Sequence, residues 1–220
     1  MPVYRHNIDI PRLSADQLAA WADIPAAVAS DAMNRAGAMH AAISPIAPTM
    51  RIVAQARTVD CMAADNSALH AAMSVCQKGD VLVCNAQSYE NHAIFGGLMT
   101  QAAVYAGLAG LVIDGAVRDS AEIVELGFNC FARAVVPRGP HKTFGGVIDG
   151  PIACGGVAVS SGDLIIGDAD GVAVVPFARI DEVMDGVQAI LAKEKRALAA
   201  LANGGTLAEI YGVPDITLIE

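Results

Sequence analysis

Gly96-Gly97-Leu98-Met99 and, one helix further on, Gly110-Leu-Val-Ile-Asp114-Gly-Ala-Val-Arg118-Asp119 form the stretch on which the architecture turns. The glycine pair opens a helix over Gly97 to Ala106 that Gly107 closes, and an apolar strand runs from Gly110 to Asp114. Upstream, Gly79-Asp-Val-Leu-Val-Cys84 feeds another strand of the same continuously apolar, buried kind. A helix separating two such strands predicts a parallel crossover. A short helix after Asp119 ends near Gly127, and Cys130 to Val136 reads as the next strand.

Outward from this unit, Ser14 with Gln17 makes a capping box for a first helix, and a second helix is predicted over Pro25 to Arg35, ending near Gly37. Arg51 to Cys61 reads as a strand and Ser67 to Gln77 as a helix. The later half carries short strands at Val157 to Ser160, Leu164 to Ile166 and Val172 to Val175. Gly79-Asp80 and Gly162-Asp163 each launch a strand, a weak internal echo and not a repeat array. Asp168-Ala-Asp170-Gly171 lacks the later ligands of a calcium loop and reads as a tight turn. Pro176 opens a long helix, Ala178 to Leu201, stopped by Asn203-Gly-Gly205. The predicted fold is one mixed α/β domain, crossovers first and hairpins second.

The 220 residues suffice for one domain with a sizeable core. Hydrophobic residues make up 54% and charged residues 17%, yet the longest apolar or glycine run, Ala102 to Ile113, is too short to span a bilayer. The excess is expected in the core and a subunit interface, with no membrane partner. The start, with Arg5, His6, Asn7 and Asp9, lacks the pattern of a secretory signal. Five cysteines without Cys-x-x-Cys spacing predict reduced, buried thiols in a cytoplasmic protein. A formal charge of −9 argues against nucleic-acid binding.

The chemistry is expected around Arg118 and Asp119. A carboxylate at the C-terminal end of a buried strand stands where open α/β sheets place their sites, and magnesium needs only one or two protein carboxylates. Asp119 is therefore either a metal ligand or the N-cap of the next helix. Arg118 binds a carboxylate or enolate bidentately, or pairs with Glu122 or Asp114. Gly96 and Gly97 offer backbone N–H groups at a helix start, which suit an anion, or simply permit a tight turn. The five histidines show no zinc spacing; His92, just before the glycine turn, either touches a ligand or is structural. Asp65-Asn66 precedes a helix and is expected to cap it.

Taken together, Gly79-Asp-Val-Leu-Val, Phe95-Gly-Gly-Leu, Gly110 to Asp119, Phe131-Ala-Arg133 and Gly162-Asp through Asp170-Gly-Val-Ala-Val-Val-Pro176 resemble the RraA-like family. That family includes the class II pyruvate aldolases acting on 4-hydroxy-4-methyl-2-oxoglutarate and 4-carboxy-4-hydroxy-2-oxoadipate. The resemblance implies a three-layer β/β/α swivelling-type domain over residues 1–220, assembled as trimers that pair into hexamers. The N-terminal helices, about 14–37, and the C-terminal helix, about 177–201, would contribute to the subunit interface. It implies magnesium or manganese on Asp119, Arg118 on the pyruvyl group, and a substrate carboxylate cradled by Gly96, Gly97, Leu98 and Met99, with Asn66 lining the pocket. Glu194 is the expected contribution of a neighbouring subunit. The implied reaction is retro-aldol cleavage to pyruvate enolate, with decarboxylation of oxaloacetate through the same enolate. One departure stands out, because Gly97 occupies the position where aldolases commonly carry a carboxylate. Glu90 or Glu122 is expected to compensate, and Gly97→Asp to raise turnover. The Asp119-x-x-Glu122 spacing is closer to regulatory members that bind ribonuclease E, which keeps a non-catalytic regulator, or a lyase for another 2-oxo or hydroxy acid, as alternatives.

Overall fold

Strands and helices alternate through the middle of the chain, as the apolar runs require. The computed structural model describes residues 1–219. Strand β1 (Val3–Arg5) precedes helices α1 (Ala15–Trp21) and α2 (Ala26–Ala32) and the short β2 (Ser44–Pro45). Then come β3 (Ile52–Cys61), α3 (Ser67–Met73), β4 (Val81–Phe95), α4 (Gly97–Tyr105), β5 (Gly110–Val117), α5 (Ser120–Glu125) and β6 (Asn129–Val135). Strands β7 (Gly146–Ile148), β8 (Ile152–Cys154), β9 (Val157–Val159), β10 (Leu164–Asp168) and β11 (Gly171–Val175) follow. A 3-10 turn, Phe177–Arg179, leads into α6 (Ile180–Ala202) and α7 (Leu207–Tyr211).

The main sheet has the order β1-β7-β3-β4-β5-β6-β2, and β3, β4, β5 and β6 run parallel. Every residue of β5 is buried, which is why its sequence is apolar apart from Asp114 instead of alternating. β3 serves three partners: its first half pairs with β10 and its second half with β4 and β7. The β10–β11 hairpin alternates between two cores. Ile165, Val172 and Val174 join the main core, while Leu164, Ile166, Ala173 and Val175 face a second one with Trp21, Val28, Val183 and Val187. Close approach at Gly167 fits this layering, since a Cβ there would lie 2.8 Å from Phe131 Cζ on β6. The order is sheet, hairpin, helices: a β/β/α arrangement.

The capping box at Ser14 and the turn at Asp168 form as the sequence predicts. Asp168 also accepts a hydrogen bond from Ala26 N, 2.8 Å away, and so starts α2. The glycine-aspartate echo is a shared turn. Asp80 accepts from Gln77 N and Asp163 from Ser160 N, both at 2.8 Å, after a glycine with positive φ. α2 stops short of Arg35 because Asn34 and Arg35 take left-handed conformations, and α3 ends at Met73 with Ser74 as its cap. β4 runs far past Cys84, to Phe95, through register shifts around left-handed Gln87 and Ser88. No sequence signal marked that extension; α7, which was not predicted, starts on a Thr206–Glu209 capping box.

One buried polar group ties the layers. Arg57, 2% exposed, donates to both oxygens of Asp149 at 2.8 Å, and Arg5 Nε and Ser161 Oγ also donate to Asp149, at 2.7 and 3.0 Å. The five cysteines are free, and burial pushes the Cys130 and Cys154 thiols up to about 12, leaving them inert packing groups. No described helix is long and apolar enough to cross a membrane.

Candidate functional site

Two neighbouring parallel strands deliver the site. β4 ends at Phe95 and hands the chain to Gly96-Gly97 at the start of α4; β5 ends at Val117 and hands it to Arg118-Asp119 before α5. Arg118 N donates to Phe95 O at 2.9 Å, so the two exits are locked side by side.

Asp119 has φ +56° and ψ +39°, a left-handed conformation that turns the chain sharply into α5. Its side chain makes no cap hydrogen bond to α5, so the capping alternative falls. Oδ2 instead accepts from Gly97 N at 2.9 Å, at the N-terminus of α4. Arg118 Nε lies 3.4 Å from the same oxygen, and neither Glu122 nor Asp114 is its partner among the described residues. Asp114 is taken by Arg133, whose Nε is 2.6 Å away.

The glycine pair answers to close approach and not to turn geometry. Gly96 is extended, at φ −170°, and a Cβ there would lie 2.6 Å from Asp119 Oδ2 and 2.8 Å from Arg118 Cγ. A Cβ at Gly97 would fall against the Glu122 carboxylate, 2.5 Å from its Cδ. Glu122 thus fills the space that a side chain at 97 would need. The next N–H groups, of Leu98 and Met99, belong to the first helical turn, where no intrahelical acceptor exists.

Arg118 lines two hollows. One, about 80 Å³, is bounded by Asn66, the turn Gly96 to Met99, and a wall from Pro140 and Lys142. The other, about 560 Å³, holds Asp119 and Glu122. Asn66 is 3% exposed; its Nδ2 meets Met99 Sδ at 3.3 Å, and its Oδ1 has no partner among the described residues. A buried orphan acceptor at a pocket wall calls for a ligand or water. His70 and Lys142 also line the smaller hollow, and partial burial together with the Lys142 charge lowers the His70 pKa.

Of the residues expected here, Arg118, Asp119, Gly96, Gly97, Leu98, Met99, Asn66 and Glu122 come together. Glu90 does not; it stands 4.0 Å from Arg133. His92 stays just outside the pocket, stacked with Tyr89 at 5.6 Å and 6.0 Å from the His141 ring. Glu194 is exposed on α6 and lines neither hollow. His70, Pro140 and Lys142 were not legible in sequence, because they reach the pocket from segments far from the glycine turn.

Comparison with known proteins bears on the family and the fold. The family model described as RraA-like, Aldolase/RraA, matches residues 26–174. A protein of Halalkalibacterium halodurans named "Putative 4-hydroxy-4-methyl-2-oxoglutarate aldolase" is 37% identical over 182 residues, covering 83% of this chain and 84% of that protein. Among solved structures, an uncharacterized protein from Pseudomonas syringae pv. tomato superposes with a TM-score of 0.80 at 24% identity, over 91% of this chain and 99% of its own. The RNA-processing inhibitor RraA from Thermus thermophilis superposes with a TM-score of 0.64 at 27% identity, over 70% and 93%. With the family model matched from α2 to β11, and with the Arg-Asp pair and glycine turn in one site, the chain belongs to the RraA-like family.

Proposed function

We propose that this protein is a divalent-metal-dependent carbon–carbon lyase releasing pyruvate from a 4-hydroxy-2-oxo diacid of the 4-hydroxy-4-methyl-2-oxoglutarate type, and that it also decarboxylates oxaloacetate. The observation that carries the reading is the seating of Asp119 Oδ2 on Gly97 N, which sets Arg118 and a carboxylate beside the free N–H groups of α4. The name borne by the Halalkalibacterium relative supports the same substrate class.

The donor set suits magnesium or manganese. Asp119 is 42% exposed, and its Oδ1 has no hydrogen bond among the described residues. Magnesium keeps most of its waters and takes one or two protein carboxylates, so Asp119, with Glu122 near it, would hold the ion. No cluster of three or more His, Cys, Asp or Glu exists among the described residues, so the ligands at hand here are the few hard oxygens that magnesium takes. A divalent ion so held supplies Lewis-acid stabilisation of developing negative charge.

The residues have separate tasks. Leu98 and Met99 N–H groups bind the 2-oxo acid's carboxylate at the positive end of α4. Arg118 donates to the oxygen that becomes negative when the C–C bond breaks and pyruvate enolate forms. Glu122 supplies the carboxylate that Gly97 lacks. The exposed Leu98 and Tyr105, 83% and 85% accessible on α4, fit burial against further copies in a trimer or hexamer, to which Glu194 would contribute.

Purified protein with magnesium is expected to release pyruvate from 4-hydroxy-4-methyl-2-oxoglutarate, to stop on chelation, and to run as an oligomer by light scattering. No pyruvate from that substrate or from oxaloacetate sinks the reading. A regulator that binds ribonuclease E, the alternative raised by the Asp119-x-x-Glu122 spacing, would then be tested by inhibition of that ribonuclease. Turnover of another 2-oxo acid would keep the lyase and replace the substrate.

Glu122 changes the sign expected for Gly97→Asp. The new side chain would displace the Glu122 carboxylate and crowd two like charges, so turnover is expected to fall roughly 10-fold or more. Gly97→Asp with Glu122→Ala, which moves the carboxylate without doubling it, should recover most of the loss. Faster turnover in the single variant would show that Glu122 is not the substitute.

A further inference from the structure

The smaller hollow has two walls from distant parts of the chain, and one buried carboxylate joins them. Asn66 comes from the N-cap of α3 and His70 from its middle; Pro140 and Lys142 come from the segment between β6 and β7. Asp65 lies between these walls and is fully buried. Its Oδ1 accepts from Ser67 N at 2.9 Å and from Ser67 Oγ. Its Oδ2 accepts from Thr143 N at 2.7 Å and Phe144 N at 3.0 Å. No lysine, arginine or histidine forms an ion pair with it among the described residues.

A helix cap alone would need only one acceptor, which serine, threonine or asparagine supplies. Here both oxygens are committed, one to each wall, and that requires an ionised carboxylate. The surrounding bonds run along the same seam: His141 N donates to Ala64 O at 2.7 Å, Asn66 N to His141 O at 3.1 Å, and Gly145 N to Ser67 Oγ at 2.9 Å. Burial raises the Asp65 pKa, but the Ser67, Phe144 and Thr143 hydrogen bonds outweigh it and hold the carboxyl below its usual range.

Lys142, next to the Thr143 whose amide donates to Asp65, carries an ammonium with no ion-pair partner among the described residues. It faces the same hollow as the α4 N-terminus and the unpartnered Asn66 Oδ1.

We infer that Asp65 is a positioning residue of the pocket: it staples the Pro140–Gly145 wall to the start of α3 and so sets the Lys142 ammonium against a carboxylate bound at α4. The inference rests on the lyase reading for its substrate. It adds two residues, Asp65 and Lys142, to the recognition of the acid.

Asp65→Asn keeps the size but offers one acceptor and one NH₂, so two of the four donors lose their partner. KM for the 2-oxo acid is expected to rise roughly 10-fold with kcat little changed, the mark of lost binding shared by ground and transition states. In a Lys142→Met background the same change should raise KM much less, because the lysine it positions is gone. Hydrogen exchange at Thr143 and Phe144 should quicken in Asp65→Asn. Unchanged KM, or an equal rise in both backgrounds, overturns the inference, since a purely structural staple would act independently of Lys142. Ser67→Ala, a milder cut of the same seam, gives the same decision should Asp65→Asn fail to fold. If the wild type releases no pyruvate, the lyase reading fails separately. Affinity for oxalate, shaped like a pyruvate enolate, then decides: about 10-fold weaker binding in Asp65→Asn upholds the inference, whereas equal binding, or none by the wild type, ends it.

Discussion

Asp119→Asn is expected to lower metal-dependent pyruvate release at least about 100-fold, because loss of even an outer partner of a metal site costs roughly 10–100-fold. Asparagine is the informative substitution. It tolerates the left-handed backbone at 119 and keeps an oxygen that can accept from Gly97 N, so only the charge is removed. Alanine would add backbone strain at φ +56° and release Gly97 N as well. The variant should keep its melting temperature and oligomer size while magnesium no longer raises its rate. Wild-type turnover with magnesium would remove Asp119 from the metal site and leave Glu122 as the candidate.

The largest stability effect is expected away from the pocket, at Asp149. Arg57 is 2% exposed and its guanidinium depends on Asp149 through two hydrogen bonds of 2.8 Å. Asp149→Asn leaves that cation buried without its charge partner, which costs about 3–5 kcal/mol. For a chain of this size the melting temperature should drop by roughly 6–20 °C. A drop of less than about 1 kcal/mol in denaturant unfolding would mean that Asp80, 3.4 Å from Arg57 Nη1, carries the cation alone.

The pH dependence has a definite sign. Burial pushes the Asp149 carboxyl up, but hydrogen bonds from Arg57, Arg5 and Ser161 and the Arg57 charge hold it below the ordinary 3.8. A carboxyl whose folded pKa lies below its unfolded one stabilises the fold above the unfolded value and loses that contribution as pH falls through the folded value. Stability of the wild type should therefore decline below about pH 4, and Asp149→Asn should flatten that decline. Asp65 is shifted in the same direction, so part of the acid limb remains in the variant.

Much of the scaffold was legible because its causes are local or periodic. A parallel strand covered on both faces is largely apolar, so the runs Gly110 to Asp114 and Val81 to Cys84 announce themselves, although β5 continues to Val117. Ser14 and Gln17 carry their capping box within four residues, and Asp168 to Gly171 carry a turn. The Arg118-Asp119 pair drew attention for a related reason, since the C-terminal end of a buried strand is where open α/β sheets set their sites, while capping and ion pairing stayed open to it.

Other features hid where the cause is distant. β4 continues through Gln87 and Ser88, polar residues in left-handed conformations that no propensity favours in a strand. Arg57 reads in sequence like an outward-facing strand residue, yet Asp149, ninety-two positions away, makes its burial tolerable. Asp119 had two roles open to it. Its neighbour Gly97 N, brought over from the next strand, is what turned the carboxylate away from capping.

Residue order along the chain was thus enough to specify the central strands and helices and the direction of their crossovers, since each depends on side-chain period or on contacts within a few positions, whereas the short strands β1, β2 and β7 form only through distant partners. The pocket's composition required the folded chain. Glu122 takes the room left by Gly97, Lys142 and His70 line the hollow with Arg118, and Asp65 joins the walls. These are juxtapositions of side chains from separate elements, created by packing, and no local pattern of the sequence carries them.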